Sequence, residues 1–155
     1  MSRAFVKEPD GGDVFDDMPD RLVSEHPNLV TAEGLALIEA EVVRLQSENA
    51  EAHAADDRAA IVRAARDLRY WSSRLSTAQV QAAPADTSTV QFGSTVTLVR
   101  ADGRKQTFRI VGEDEADPSK GTLSYVAPLA QALLGKPVGD TAAAGAGEAE
   151  ILQIS

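Results

Sequence analysis

Apolar residues recur at alternating spacings of three and four along two adjacent stretches of the chain. In the first, Leu35, Ile38, Val42, Leu45, Asn49 and Ala52 share one side of a helix; in the second, Ile61, Ala64, Leu68, Trp71, Leu75 and Ala78 do so. The stripe is narrow, two positions in seven, which is the seam of a coiled coil rather than the broad face of a helix lying on a globular core. The two stretches are therefore expected to pack on each other as an antiparallel hairpin over residues 31–80. Facing residues in such a pair have position numbers that add to a constant. Leu35 with Leu75, Val42 with Leu68 and Asn49 with Ile61 all give about 110, so the chain should reverse near Ala55, with a tip over His53 to Asp57. Thr31 is placed to cap the first helix and Asp56 or Asp57 the second, where free amides and the macrodipole favour an oxygen acceptor. Asn49, facing Ile61, is the polar member of the seam and is expected to fix register.

Beyond residue 88 the period changes to two. Val90, Phe92, Val96 and Leu98 fall on even positions, broken around Gly93, which suggests a bulge. Asp102-Gly103 is a hairpin turn signal leading into Phe108 and Ile110. Gly112 ends that strand and opens an acidic loop, Glu113-Asp114-Glu115-Ala116-Asp117-Pro118. A short third strand is expected over Leu123 to Val126. Pro128 starts a helix through Leu134, with Gly135 as its stop. Thr141 to Ala144 and Glu148 to Ile154 then form a closing hairpin around Gly145 and Gly147. The expected fold class is α+β: an N-terminal antiparallel helical hairpin followed by a small, mostly antiparallel sheet with one helix packed on it.

Composition narrows the picture. At 155 residues the chain suits one domain with an appendage. Residues 1–30, where Asp10, Asp13, Asp16, Asp17 and Asp20 interrupt few apolar residues, read as an acidic, largely disordered tail, and 81–88, with Pro84 and Asp86, as a linker to a module over 89–155. The net charge of −9 opposes direct nucleic-acid binding, which needs a basic surface, and suits a basic groove or a metal-bearing site on another macromolecule. There is no cysteine, so thiolate metal sites, disulfides and cysteine nucleophiles are excluded. The two histidines, His26 and His53, are too few for an imidazole metal site. No run is apolar enough to cross a membrane and the N-terminus does not read as a signal peptide, so a cytoplasmic monomer is expected. Glu33, Glu39, Glu41, Glu48 and Glu51 load the first helix and Arg58, Arg63, Arg66, Arg69 and Arg74 the second, an electrostatically complementary pair whose exposed contacts are worth only ~0.2–1 kcal/mol each.

Three C-terminal runs carry a resemblance: Phe92-Gly93-Ser94-Thr95-Val96-Thr97-Leu98; Phe108-Arg109-Ile110-Val111-Gly112-Glu113-Asp114-Glu115-Ala116-Asp117; and Ala127-Pro128-Leu129-Ala130-Gln131-Ala132-Leu133-Leu134-Gly135-Lys136-Pro137-Val138-Gly139-Asp140. In order and in spacing they resemble the C-terminal domain of the bacterial Gre transcription factors, GreA and GreB, and their relative Rnk. The hairpin before them, opening at Thr31-Ala32-Glu33-Gly34 and closing at Ala78-Gln79-Val80, resembles the family's coiled coil. The resemblance implies an FKBP-like C-terminal fold that docks at the rim of the RNA polymerase secondary channel while the coiled coil enters it. It also implies no complete active site of the chain's own. In Gre factors, tip acids help hold a Mg²⁺ at the polymerase active site, so any metal would be shared with the polymerase, and hard oxygen ligands suit that ion.

Two departures from the family bear on mechanism. Its acidic tip run has a counterpart in Ser47-Glu48-Asn49-Ala50-Glu51, but Leu45 stands where the first acid belongs, and the hairpin register puts Glu48 below the turn. The tip acids are therefore expected to be Asp56 and Asp57, with Glu48 and Glu51 as the alternative. Each helix also has about 22 residues, roughly 33 Å, several turns less than a cleavage-competent arm and nearer to Rnk, a deficit of roughly 10–15 Å. Hence the expectation is polymerase binding with weak or absent stimulation of transcript cleavage, against the alternative of a cleavage-stimulating factor acting through its tip acids. A peptidyl-prolyl isomerase or chaperone is suggested only by the implied fold, and Trp71 lies on the hairpin seam rather than on a sheet that could floor a proline pocket. A plain coiled-coil interaction protein is the third reading. The loop acids Glu113, Asp114, Glu115 and Asp117 are polymerase-docking candidates against the plainer reading of a solvated turn.

Overall fold

The computed structural model describes residues 18–155. Contacts gather them into two units, one of Glu39–Ser76 with the described residues up to Val23, the other of Ser24–Ile38 with Thr77–Ser155.

The first unit takes Glu39 onward of helix α1 (Ala32–Ala54) and helix α2 (Arg58–Thr77) as far as Ser76, and Ala55–Asp57 turns the chain where the position sums put the reversal. The turn is a Schellman closure: Asp57 N–H reaches Ala52 O at 3.0 Å and Asp56 N–H reaches His53 O at 3.1 Å, with Asp56 left-handed at φ 51°. Asp57 then caps α2, its Oδ1 accepting from Ala60 N at 3.1 Å. Val42, Leu45 and Ala52 are buried on α1, Ala64 on α2, and Ile61, Leu68 and Trp71 are half-buried. The amide oxygen of Asn49 is buried in this seam with no partner among the described residues. The charge stripe differs from expectation at Arg74, which is 2% exposed and the largest fully buried side chain described. It follows Trp71 by one turn of helix, and a guanidinium on a long apolar stem can be buried where its polar end is satisfied. Other ion pairs also run differently: Arg44 bonds Glu41 at 2.7 Å and also Glu48, both on its own helix.

The second unit begins with a parallel pair of two-residue strands, β1 (Leu29–Val30) on β2 (Gln79–Val80). This corrects the expectation for the N-terminal tail from residue 18 onward; the first seventeen residues lie outside those described. Asn28 and Val30 are 4% and 2% exposed, and Asn28 Nδ2 donates to Thr77 Oγ1 at 3.2 Å. A strand of two residues has no periodicity to read, so hydrophobic patterning missed it. The unit thus takes in residues 24–38 as well as the C-terminal module.

Five strands form the main sheet: β3 (Thr95–Arg100), β4 (Lys105–Val111), β5 (Thr122–Ser124), β6 (Thr141–Ala144) and β7 (Gly147–Ile154), in the order β5-β4-β3-β7-β6. All neighbours are antiparallel except β4 and β5, which are parallel. Helix α3 (Pro128–Leu133) buries Ala130 and Leu133 in one core with Val96, Leu98, Ile110 and Ile151, and the fold class is α+β as patterned. The strand expected from Val90 starts only at Thr95. Gly93, at φ 87°, turns the chain instead of bulging it, and Val90 pairs with the end of α3, accepting from Gly135 N at 2.8 Å. The register irregularity falls within β3, between Thr97 and Leu98 against β7.

Candidate functional site

The hairpin tip gathers three of the four acids that the sequence placed there, Glu48, Glu51 and Asp57. Glu48 and Glu51 lie on the flank of α1 and, with Asp57, Arg63 and Asp67, line an open groove of about 430 Å³ floored by Ala52, Ala60 and Ala64. Small side chains on both helices make this space, because alanine fills so little of the inter-helix volume. Asp56 does not line the groove and is exposed in the turn. Leu45 is 1% exposed, so a carboxylate at that position would lose its water without a partner, and the acid run cannot be completed there without cost. Glu48 also holds Arg44 one turn below it, which raises the guanidinium further above its ordinary value, after the larger effect of Glu41. Among the described residues, no three acidic or imidazole side chains converge closely enough to hold a metal ion. The tip can present negative charge to a partner.

The acidic loop is built differently. Glu115 turns inward: its Oε2 accepts from Thr31 N at 2.9 Å and its Oε1 from Thr31 Oγ1, so it satisfies the start of α1. Thr31 in turn caps the helix, Oγ1 accepting from Gly34 N at 3.0 Å. A Cβ at Gly34 would lie 1.9 Å from Glu115 Oε2, so any side chain there would displace the carboxylate from Thr31. Gly112 is required more strictly, a Cβ there lying 2.4 Å from the backbone oxygen of Leu29. Asp117 caps the 3-10 turn Pro118–Lys120, accepting from Ser119 N at 3.1 Å, and the Ser119 hydroxyl chiefly holds its carboxyl below the usual range. Glu113 accepts from Ser24 Oγ at 2.9 Å. Glu33, in the first turn of α1, pairs with Arg109 at 3.5 Å, and its own backbone amide, then Arg109, hold its carboxyl low. Of the four loop acids, Glu113, Glu115 and Asp117 thus have named partners within the fold, a role that the charge of the run concealed. The signal that could have found Glu115 is the pair of glycines, Gly34 and Gly112, both of which its carboxylate approaches.

A family model described as "Transcription elongation factor, GreA/GreB, C-term" matches residues 85–155. A transcription elongation factor GreA of Hyphomonas neptunium is 34% identical over 151 residues, covering 81% of this chain and 95% of the relative. The chain belongs to the GreA/GreB family of transcription elongation factors. A GreA of Vibrio parahaemolyticus is 40% identical over 128 residues, 80% of this chain and 77% of that protein. Among solved structures, GreA factor homolog 1 (Gfh1) of Thermus thermophilus is a distant likeness, 18% identical with a TM-score of 0.41 over 84% of this chain and 99% of that one. In this Gre-family chain the residues of the family match, 85–155, lie within the second unit, whereas the tip acids lie in the first.

Proposed function

We propose that this elongation factor works by binding RNA polymerase at its secondary channel, with the hairpin inside the channel and the C-terminal unit at the rim, and that it stimulates transcript cleavage weakly or not at all. The observation that carries the reading is the placement of the acids. Glu48 and Glu51 lie on a helix flank, a buried leucine occupies position 45, and Asp57 is committed to capping α2, which leaves Asp56 as the carboxylate at the turn. Asp56 is left-handed where glycine would be more stable, so turn stability alone does not account for an acid there.

Arm length supports the same reading. The 151 positions aligned with the Hyphomonas relative draw on 81% of this 155-residue chain, about 126 residues, which leaves about 25 positions of the relative without a counterpart. A deficit of that size leaves room for arms shorter by about seven to ten residues each, and at 1.5 Å per residue the tip would then stop roughly 10–15 Å short. A carboxylate must come within about 2.1 Å of Mg²⁺ to coordinate it. The acidic tip then occupies the channel as negative charge, and no step requires this chain to hold a metal or to carry an active site of its own. The protein would act as a cytoplasmic monomer, with the loop that carries Glu113, Asp114, Glu115 and Asp117 meeting the polymerase.

The second reading, cleavage stimulated through the tip, is favoured by the groove that gathers Glu48, Glu51 and Asp57 and by the name GreA that the relatives bear. Stalled elongation complexes separate the two. Retention of the protein on core polymerase, competition with longer channel-binding factors, and no transcript shortening above polymerase alone are expected. Robust cleavage that disappears on replacing Asp56 and Asp57 by Asn would overturn the proposal. Asp114→Lys is expected to weaken retention, and unchanged affinity would remove the loop from the interface.

A further inference from the structure

The stretch just before the second unit lies along α2. Asp20 pairs with Arg69 at 2.6 Å, and Arg66 Nη1 donates to the thioether sulfur of Met18 at 3.1 Å. Arg21 reaches Asp67 at 3.4 Å while its guanidinium stacks 3.9 Å from the centre of the Tyr70 ring and 5.9 Å from that of Trp71. Tyr70 and Trp71 meet edge to face at 5.3 Å, so the segment closes over an aromatic pair flanked by cations. The charges alternate in the matching order, an acid over Arg69 and a base over Asp67, so the fit is complementary and not a general attraction between an acidic tail and a basic helix. Neighbouring Leu22 is 96% exposed, which shows that polar and cation–π contacts, not apolar burial, hold this segment down. Each such contact is weak at a surface and screened by salt, so the segment can open without unfolding the hairpin.

We propose that residues 18–23 form an intramolecular strap on α2, closed in the free protein, that must lift before the hairpin enters its partner. This rests on the channel-insertion reading above, because a hairpin that must enter a confined space cannot keep a third segment laid along one helix. Closure then lowers the apparent affinity by the fraction of molecules left open. Release would be driven by a polymerase surface that takes over Arg66, Arg69 and the aromatic pair.

Two measurements on the full chain test the strap. Trp71 is the only tryptophan, so its emission reports on the aromatic pair without polymerase present. Arg21→Ala and Asp20→Arg are each expected to shift that emission, as high salt should in the wild type, and to tighten binding to core polymerase about threefold or more. The charge swap, Asp20→Arg combined with Arg69→Asp, should restore the wild-type emission. Unchanged emission in Arg21→Ala overturns the strap itself. Shifted emission with polymerase affinity equal to that of the wild type overturns its inhibitory role. Failure of wild type and variants alike to bind polymerase overturns the proposed partner and the inhibition with it, while the emission still decides whether the strap exists.

Discussion

The two units are stabilised in different ways. In the C-terminal unit, Val96, Leu98, Ile110, Leu133 and Ile151 are wholly buried in a core enclosed between the five-stranded sheet and α3. In the hairpin unit the buried apolar side chains among the described residues are few and partly small, Val42, Leu45, Ala52 and Ala64, and they share the interior with Arg74 and the amide oxygen of Asn49, which no described donor reaches. Apolar area therefore stabilises the first far more than the second. The difference teaches where change is tolerated: charges and an open groove at the tip are compatible with a seam in which little packing has to be exact, while the sheet core leaves little room for either.

The largest effect expected from this contrast is in the sheet. Leu98→Ala should cost about 2–5 kcal/mol in urea unfolding, whereas Leu45→Ala should fall at or below the low end of that range because a single seam can close around the gap. Equal costs would break the comparison. Next, Glu115→Ala removes both acceptors of Thr31 and should lower stability by about 1.5–3 kcal/mol, the range for hydrogen bonds to a charged group, read as a fall in melting temperature. A neutral result would return Glu115 to the surface acids. Asn49→Leu should stabilise the hairpin by about 1 kcal/mol by removing a buried amide oxygen that no donor among the described residues reaches, and a change in oligomeric state on gel filtration would show that Asn49 fixes the pairing instead. The smallest shift is expected for Asp56→Gly, a gain of about 0.5–1 kcal/mol from relief of the left-handed backbone, again by urea titration.

Much of the hairpin was legible because its information is local. The alternation of three and four fixes a seam, the position sums fix the turn, and Thr31 and Asp57 cap where their chemistry predicts. The turn at Asp102-Gly103 and the start of α3 at Pro128 were readable for the same reason. What patterning missed depends on residues far apart in sequence. Arg74 and Glu115 carry charges that read as solvated, yet one is buried and the other bonds to Thr31, 84 positions away. The parallel pairings of β1 with β2 and β4 with β5 leave no trace in a period-two count over two or three residues. At the tip, the sequence named all four acids, but not that Glu48, Glu51 and Asp57 share a groove while Asp56 stays outside it.

The parallel pair at the base of the hairpin has a further consequence. Leu29 lies beside Gln79 and Val30 beside Val80, and Gln79 N and Gln81 N bond Asn28 O and Val30 O at 2.8 and 2.9 Å. The chain therefore departs and returns through one fastened doorway. Whatever lies between can lengthen or shorten by matched heptads with little entropic penalty, since each doubling of a closed loop costs only about 0.6 kcal/mol. Length thus becomes an adjustable dimension, and if the hairpin enters the polymerase channel as proposed above, a series of proteins differing only by one heptad inserted in each arm would act as a ruler for the depth at which tip carboxylates begin to matter.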